Sequence, residues 1–208
     1  MIKIHHLNES RSQRILWLVE ELGLPYEIVS YSRNATTRLA PPELETIHPL
    51  GKSPVLEDGA VKLAESGAIV EYLCDTYGQG KLVVPAEPAE RAAYQEWLHY
   101  AEGSAMLPLM LGMYVARLGE AGAPLHPRIE SETKNHLSYV NDALGGRMYL
   151  LGEGFSGADV MMSFVAEVAR AFGKLKDYPN LDAWLDRVHA RPAWKAALDK
   201  GGAYALGR

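Results

Sequence analysis

Residues 5–22, HHLNESRSQRILWLVEEL, decide the fold, because an apolar strand passes through a short polar turn directly into an amphipathic helix. Alternation predicts a strand over residues 2–6, and apolar residues at helical spacing predict a helix over 11–22. Gly23, two residues before Pro25, is a typical helix stop. The segment YEIVSY (26–31) predicts a second strand. The chain therefore begins with a βαβ pattern.

The pattern changes character after about the first eighty residues. PVLEDGAVKLA (54–64) predicts a hairpin, since Asp58-Gly59 favours a tight two-residue turn. A helix follows over 66–77, and beyond it strand patterns stop. The helices expected there span residues 88–118 (with a kink at Pro108), 127–145, 157–172, 181–190 and 192–200. We therefore predict an α/β domain over residues 1–79, a linker over 80–87 and an all-helical domain over 88–208.

Composition narrows the functional class. The chain has 208 residues with a net charge of −5, which disfavours a nucleic-acid binder because such proteins usually carry a basic patch. No apolar stretch approaches the ~20 residues that span a bilayer. The segment MIKIHHL is too short and polar for a signal peptide. Cys74 is the single cysteine, which excludes an intramolecular disulfide. We expect a cytoplasmic protein without membrane or nucleic-acid partners.

Two local motifs raise the question of chemistry at a helix start. In GFSGADV (154–160), Ser156 and Asp159 have the spacing of a capping box, and we interpret them as structural. Ser10 with Gln13 also fits a capping box, but a serine hydroxyl has one proton to donate as well as two lone pairs. Ser10 could therefore accept a backbone N–H and donate to an anion at the same time.

Four segments together resemble the cytosolic glutathione transferases, in that family's order and spacing. They are LNESRSQRILWLVEELGLPYE (7–27), HPLGKSPVLED (48–58), AESGAIVEYL (64–73) and GFSGADV (154–160). The resemblance implies a thioredoxin-like N-terminal domain followed by an all-helical domain. It is strongest to bacterial and fungal members with a serine in the first turn. Position 48 is histidine where many members have asparagine, and the absence of a cysteine near residue 10 disfavours the cysteine-based thiol-exchange branch.

The resemblance assigns the glutathione contacts residue by residue. Ser10 would stabilise the thiolate, and Ser12 is the second candidate because it lies only two residues away. A cis peptide bond at Pro54 would let the backbone of Ser53 meet the cysteinyl part of the peptide. The ends of glutathione would be bound by Lys52 at the glycyl carboxylate, by Glu65 and Ser66 at the γ-glutamyl group, and by Glu102 reaching across from a partner subunit. A homodimer is thereby implied, with glutathione as co-substrate, no metal and no tightly bound cofactor.

Methionines in the long helix suggest where a second, apolar substrate binds. Met106, Met110 and Met113 share a face, with Tyr114 beside them. Such a stripe is usually core packing, but flexible thioethers also suit varied apolar molecules. The family builds its electrophile pocket partly from this helix. The resulting expectation is conjugation of glutathione to apolar electrophiles. The alternatives are a peroxidase or disulfide reductase using the same thiolate, and a non-catalytic glutathione-binding protein.

Overall fold

The strand β1 (Ile2–Leu7) lies inside a mixed four-stranded sheet with the order β2-β1-β3-β4. We describe it from a computed structural model that covers residues 1–79, 82 and 87–207. The strand β2 (Tyr26–Tyr31) pairs parallel to β1, while β3 (Val55–Asp58) runs antiparallel to β1, and β4 (Val61–Ala64) antiparallel to β3. The βαβ opening and the hairpin are therefore confirmed, but the two turn residues are Gly59 and Ala60, one position later than predicted, because Asp58 still pairs with Val61.

Helices account for most of the remaining described chain. They are α1 (Ser12–Leu22), α2 (Glu43–Ile47), α3 (Ser66–Tyr77), α4 (Pro88–Tyr100), α5 (Met106–Val115), α6 (His126–Ala143), α7 (Gly157–Ala171), α8 (Pro179–His189) and α9 (Pro192–Gly201). A π-helical segment (Ala101–Ala105) separates α4 from α5, and a 3-10 segment (Ala116–Leu125) precedes α6. In the part of the chain that the structure covers, no helix has both the length and the apolar character that crossing a membrane requires.

Two structural units divide the chain, and the last helix belongs to the first of them. The first unit contains the described residues of 1–84 and 188–208, and the second those of 85–187. The helix α9 packs on α1, where the rings of Trp17 and Trp194 meet edge to face at 5.2 Å. Nε and Nη2 of Arg191 donate to the carboxylate of Glu21 at 2.6 and 2.8 Å.

This division differs from the predicted all-helical domain over 88–208, because a helix cannot show in its own sequence which unit its apolar face will cover. The predicted linker (80–87) lies outside the described residues except at positions 82 and 87. The predicted capping box is confirmed, since Ser156 and Asp159 form it at the start of α7.

The long helix predicted over 88–118 is interrupted earlier than expected. The break is the π-helical segment Ala101–Ala105, whereas Pro108 lies inside α5. Proline has no N–H to bind the carbonyl four residues before it, and its ring crowds that carbonyl. Here that carbonyl belongs to Ser104, inside the wider π turn. The distortion therefore falls one turn before the proline that causes it.

A small residue is needed where α9 approaches α1. A Cβ added to Gly201 would lie 2.5 Å from Oε1 of Gln13 and 3.0 Å from Cδ1 of Leu16. Both neighbours are buried, so overpacking should make Gly201→Ala less stable by about 1–3 kcal/mol. Urea unfolding measures the loss. Gly154→Ala is the matched control, because a Cβ there meets nothing within 4 Å. Equal stability of the two variants would contradict this close packing.

Candidate active site

Three predicted site segments meet at one end of the sheet in the first unit. Val55, at the start of β3, pairs with His5 near the end of β1 and with Ala64 at the end of β4. The segments that follow β1, precede β3 and follow β4 therefore share this end. They carry Ser10 and Ser12, Ser53 and Pro54, and Glu65 and Ser66 respectively.

Ser10 and Ser12 form a buried pair of hydroxyls at the start of α1. Their Oγ atoms are 2.8 Å apart, and the backbone N–H of Ser12 donates to Oγ of Ser10 at 3.2 Å. Ser10 is 5% exposed and Ser12 is fully buried. Ser10 therefore accepts a hydrogen bond from the first residue of the helix while keeping its own proton to donate.

The capping box expected between Ser10 and Gln13 is not formed. The helix begins at Ser12, so the cap position is Arg11 and the third helical residue is Arg14, one residue later than the box requires. The side-chain amide of Gln13 is buried and makes no hydrogen bond in the described part of the chain.

His6 is the site residue that sequence reasoning missed. Its Nδ1 lies 2.8 Å from Oγ of Ser12, and its Nε2 lies 3.0 Å from the carbonyl oxygen of Gly201 at the end of α9. The ring is 2% exposed, and burial lowers the pKa of His6. The alternation of β1 could have indicated that His6 is buried, because it lies on the same face of the strand as the buried Ile2 and Ile4.

Ser53 joins the hydroxyl cluster through the backbone of β1. The N–H of Leu7 is shared between Oγ of Ser53 at 3.1 Å and Oγ of Ser12 at 3.2 Å. The hydroxyl of Ser53 donates to the carbonyl of His5 at 2.7 Å. The Ser53–Pro54 peptide bond is cis, as the resemblance implies. Lys52, immediately before this pair, is exposed.

Glu65 has a backbone conformation that L-residues rarely adopt. Its φ is 70° and its ψ is 117°, and it immediately precedes the buried Ser66 that begins α3. A residue held at positive φ costs of order 1–3 kcal/mol, and such residues cluster at ligand-binding positions. The exposed side chain of Glu65 is therefore a candidate ligand contact.

Arg33 fastens the turn between β1 and Ser10. Its guanidinium donates to the carbonyls of Asn8 and Glu9, both at 3.1 Å, while its backbone N–H donates to Oδ1 of Asn8 at 2.8 Å. The carboxylate of Glu9 accepts the N–H of Ala205 at 2.9 Å. The turn is thus held by a neighbouring loop and by the C-terminal segment, which restricts the position of Ser10.

The remaining predicted residues belong to the second unit. Glu102 lies in the π-helical segment and is partly exposed. On α5, Met106 is 1% exposed, Met110 and Met113 are half-buried, and Tyr114 is 53% exposed. The accessible side of α5 therefore includes Met110, Met113 and Tyr114, whereas Met106 packs inside the unit.

Acidic, histidine and cysteine side chains are dispersed. Within residues 1–79, 82 and 87–207, no three of them lie close enough together to hold a metal ion. Cys74 is buried. The groups that do meet at this end of the sheet are hydroxyls, an imidazole, backbone groups and the N-terminus of α1.

Two family models match the chain. The model of the glutathione S-transferase N-terminal domain matches residues 1–75, and that of the glutathione S-transferase C-terminal domain matches residues 86–192. All the first-unit site residues described above, except those of the C-terminal segment, fall within the first match. Together the two models span most of the chain, up to residue 192.

Individual relatives agree with these models over the full length. Glutathione S-transferase 3 of Schizosaccharomyces pombe is 35% identical, over 96% of this chain and 88% of its own. Glutathione S-transferase 1 of Saccharomyces cerevisiae is 36% identical, over 98% of this chain and 96% of its own. The crystal structure of a glutathione S-transferase from Actinobacillus pleuropneumoniae superposes with a TM-score of 0.91 at 35% identity, covering 100% of this chain and 96% of that one.

Proposed function

This chain belongs to the glutathione S-transferase family, and from that premise we propose how its own residues carry out the transferase reaction. As a glutathione transferase, it uses glutathione as a substrate. The hydroxyl of Ser10 donates a hydrogen bond to the glutathione sulfur and stabilises its thiolate form. The thiolate then attacks an electrophilic carbon and forms a thioether. It displaces a leaving group from a saturated or aromatic carbon, or it adds to an electron-poor double bond.

One observation carries this proposal: a hydroxyl with a proton to donate lies at the N-terminus of a helix. The backbone N–H of Ser12 already satisfies Ser10 as an acceptor. A free thiol with a pKa of ~8.5 is only a few per cent thiolate at neutral pH. The partial positive charge of the helix N-terminus and a hydroxyl donor both favour the anion. The site thus has the groups that thiol activation requires.

We further propose that Ser53, Glu65 and Ser66 bind the peptide part of glutathione. The Ser53–Pro54 pair and Glu65 lie at the same end of the sheet as Ser10. The carboxylate of Glu65 matches the ammonium of the γ-glutamyl group, and the first N–H groups of α3, at Ser66, match its carboxylate. Lys52, exposed nearby in the chain, matches the glycyl carboxylate.

Glu65→Ala should weaken glutathione binding without removing the chemistry. Loss of a hydrogen bond to a charged group costs ~1.5–3 kcal/mol, so we expect KM for glutathione to rise about 10–100-fold while kcat changes little. Steady-state kinetics with varied glutathione measures both constants. Asp75→Ala is the control, because Asp75 is exposed near the opposite end of α3. An unchanged KM in Glu65→Ala would remove Glu65 from the binding site.

We propose that α5 supplies apolar contacts to the electrophile. The partly or largely exposed side chains of Met110, Met113 and Tyr114 support this, whereas burial of Met106 favours a supporting position. Product analysis tests the reaction type. Incubation with glutathione and an activated aryl halide should give the thioether conjugate, identified by mass spectrometry. If the enzyme forms no conjugate from the aryl halide but produces oxidised glutathione when given a hydroperoxide, the peroxidase reaction is favoured instead.

We also propose that the enzyme is a cytoplasmic homodimer in which Glu102 of one subunit contacts glutathione bound to the other. The family resemblance supports the dimer, and the absence of a second cysteine for a disulfide agrees with a reducing compartment. Light scattering during size-exclusion chromatography measures the assembly. A mass equal to one chain at micromolar concentration would contradict the dimer.

A further inference from the structure

A continuous chain of hydrogen bonds runs from Ser10 into the interior of the first unit. Oγ of Ser10 lies 2.8 Å from Oγ of Ser12, which lies 2.8 Å from Nδ1 of His6. Nε2 of His6 lies 3.0 Å from the carbonyl oxygen of Gly201. His6 and Ser12 are buried, and Nε2 faces a carbonyl. The hydrogen-bonded path from Nδ1 to the site therefore passes through Ser12 and Ser10.

The donor and acceptor properties of these groups set the direction of each hydrogen bond between His6 and Ser10. A carbonyl oxygen only accepts, so Nε2 of His6 carries a proton, and Nδ1 of the neutral ring is an acceptor. Oγ of Ser12 lies 2.8 Å from Nδ1 and 3.2 Å from the carbonyl oxygen of Leu7, and the shorter contact takes its single proton. Its oxygen then accepts from the N–H of Leu7 at 3.2 Å and from the hydroxyl of Ser10. Without glutathione, the proton of Ser10 points towards Ser12, into the protein.

We infer that His6 takes up the thiol proton of bound glutathione, through Ser10 and Ser12. This inference rests on the proposed contact between Ser10 and the glutathione sulfur. The thiol gives its proton to Oγ of Ser10, the original Ser10 proton passes to Oγ of Ser12, and the original Ser12 proton passes to Nδ1 of His6. The sulfur keeps the electron pair of the broken S–H bond. One thiolate and one imidazolium form, and the total charge is unchanged.

The same step leaves Ser10 facing the substrate. Each hydroxyl ends with one proton, and every hydrogen bond between the sulfur and Nδ1 has reversed, while Nε2 still donates to the carbonyl of Gly201. Ser10 now donates to the thiolate, Ser12 donates to Ser10, and the imidazolium donates to Ser12. Proton transfer thus turns the Ser10 donor from the protein interior to the sulfur. When the conjugate leaves, the proton returns along the same hydroxyls to water.

The surroundings of His6 are consistent with this role. Burial lowers the pKa of His6, so the ring is neutral at neutral pH before glutathione binds, and the negative charge of the thiolate offsets the same burial when the imidazolium forms. The hydrogen bond to the carbonyl of Gly201 has a smaller, opposite effect and favours the imidazolium. His6 does not touch the substrate. It is a positioning residue, which holds the proton and sets the direction of the two hydroxyls.

Counting protons in the wild-type enzyme tests the inference without any variant. Ultraviolet difference absorbance gives the amount of thiolate formed when glutathione binds at pH 7. Calorimetry in buffers with different ionisation enthalpies gives the protons released, and S-methylglutathione, which has no thiol proton, corrects for other groups. We expect thiolate with far fewer than one proton released for each thiolate. We also expect the ¹⁵N resonances of His6 to shift to those of an imidazolium.

A pair of variants separates this role from a structural one. In His6→Asn, the side-chain oxygen can still accept from Ser12 but cannot take up a proton. The thiolate that remains should then appear with one proton released, and kcat/KM at pH 7 should fall about 10–100-fold. His5→Asn is the matched control. His5 lies on the opposite face of β1, bonded to the hydroxyl of Tyr31 at 2.8 Å, and its replacement should leave the proton count unchanged.

The outcomes distinguish the inference from the proposed function. One proton released per thiolate in the wild type, with a neutral His6 ring, would overturn the relay but leave thiol activation by Ser10 intact. Absence of thiolate in the wild-type complex would instead contradict thiol activation itself. The proton count in the wild type decides the matter even if His6→Asn does not fold.

Discussion

Ser10→Ala is expected to raise the thiol pKa of enzyme-bound glutathione by about 1–2 units and to lower kcat/KM at neutral pH about 10–100-fold. Lowering a thiol pKa by about two units requires ~2.7 kcal/mol of preferential thiolate stabilisation. A hydrogen bond to a charged group supplies ~1.5–3 kcal/mol, and a helix N-terminus ~0.3–2 kcal/mol. The hydroxyl is therefore the larger contribution, and the variant retains only the smaller one.

Ultraviolet titration of the bound thiolate against pH measures this shift. Binding should change less than turnover, because the hydroxyl acts on the sulfur and not on the peptide groups. Ser32→Ala is the matched control, since Ser32 is an exposed serine just after β2. A wild-type thiol pKa equal to that of free glutathione would refute activation. Equal pKa values in wild type and Ser10→Ala would leave Ser10 only as an acceptor for the N–H of Ser12 at the start of α1.

Asp159→Ala should lower the free energy of unfolding by about 3–5 kcal/mol, more than we expect for Gly201→Ala. The carboxylate is buried in the second unit and accepts four hydrogen bonds between 3.0 and 3.1 Å, from the N–H groups of Leu150 and Ser156, the hydroxyl of Ser156 and the indole of Trp184. Burial raises the pKa of Asp159, and these four donors oppose that effect. Alanine would leave all four buried donors without an acceptor.

Urea unfolding, followed by fluorescence, measures the effect. Asp159→Asn keeps one acceptor oxygen but turns an amide donor towards other donors, so its loss should lie between those of wild type and Asp159→Ala. Glu153→Ala is the control, because Glu153 is exposed in the loop before α7 and should change stability by less than about 0.5 kcal/mol. If Asp159→Ala loses as little stability as Glu153→Ala, other groups must satisfy the four donors.

Local elements followed from the sequence because their causes lie a few residues apart. Alternation in β1, the hairpin turn that follows Asp58 and the capping box at Ser156 each involve neighbouring positions. The interruption of the long helix also has a local cause, Pro108. The spacing of apolar residues does not show, however, that the interruption lies at Ala101–Ala105. The proline acts on a carbonyl one turn away, and the distortion appears there.

Long-range partners were not predictable in the same way. Capping spacing identified Ser156 and Asp159 but gave no sign that Trp184, on a later helix, would share the same carboxylate. Similarly, Ser10 stood out at its helix start, whereas the partner that orients it through Ser12 did not. His6 and Gly201 are 195 positions apart, and their hydrogen bond exists because α9 returns to α1 in the first unit.

The sequence by itself determined the order of elements, the resemblance to a family and the serine at the start of α1. Those features depend on periodicity, turn residues and the order and spacing of motifs, all of which can be read along the chain without the fold. Tertiary structure alone decided which carbonyl meets His6 and therefore which way the protons of Ser12 and Ser10 point. The physical reason is that a hydroxyl has no fixed direction of its own: the acceptors around it, brought together by folding, set that direction.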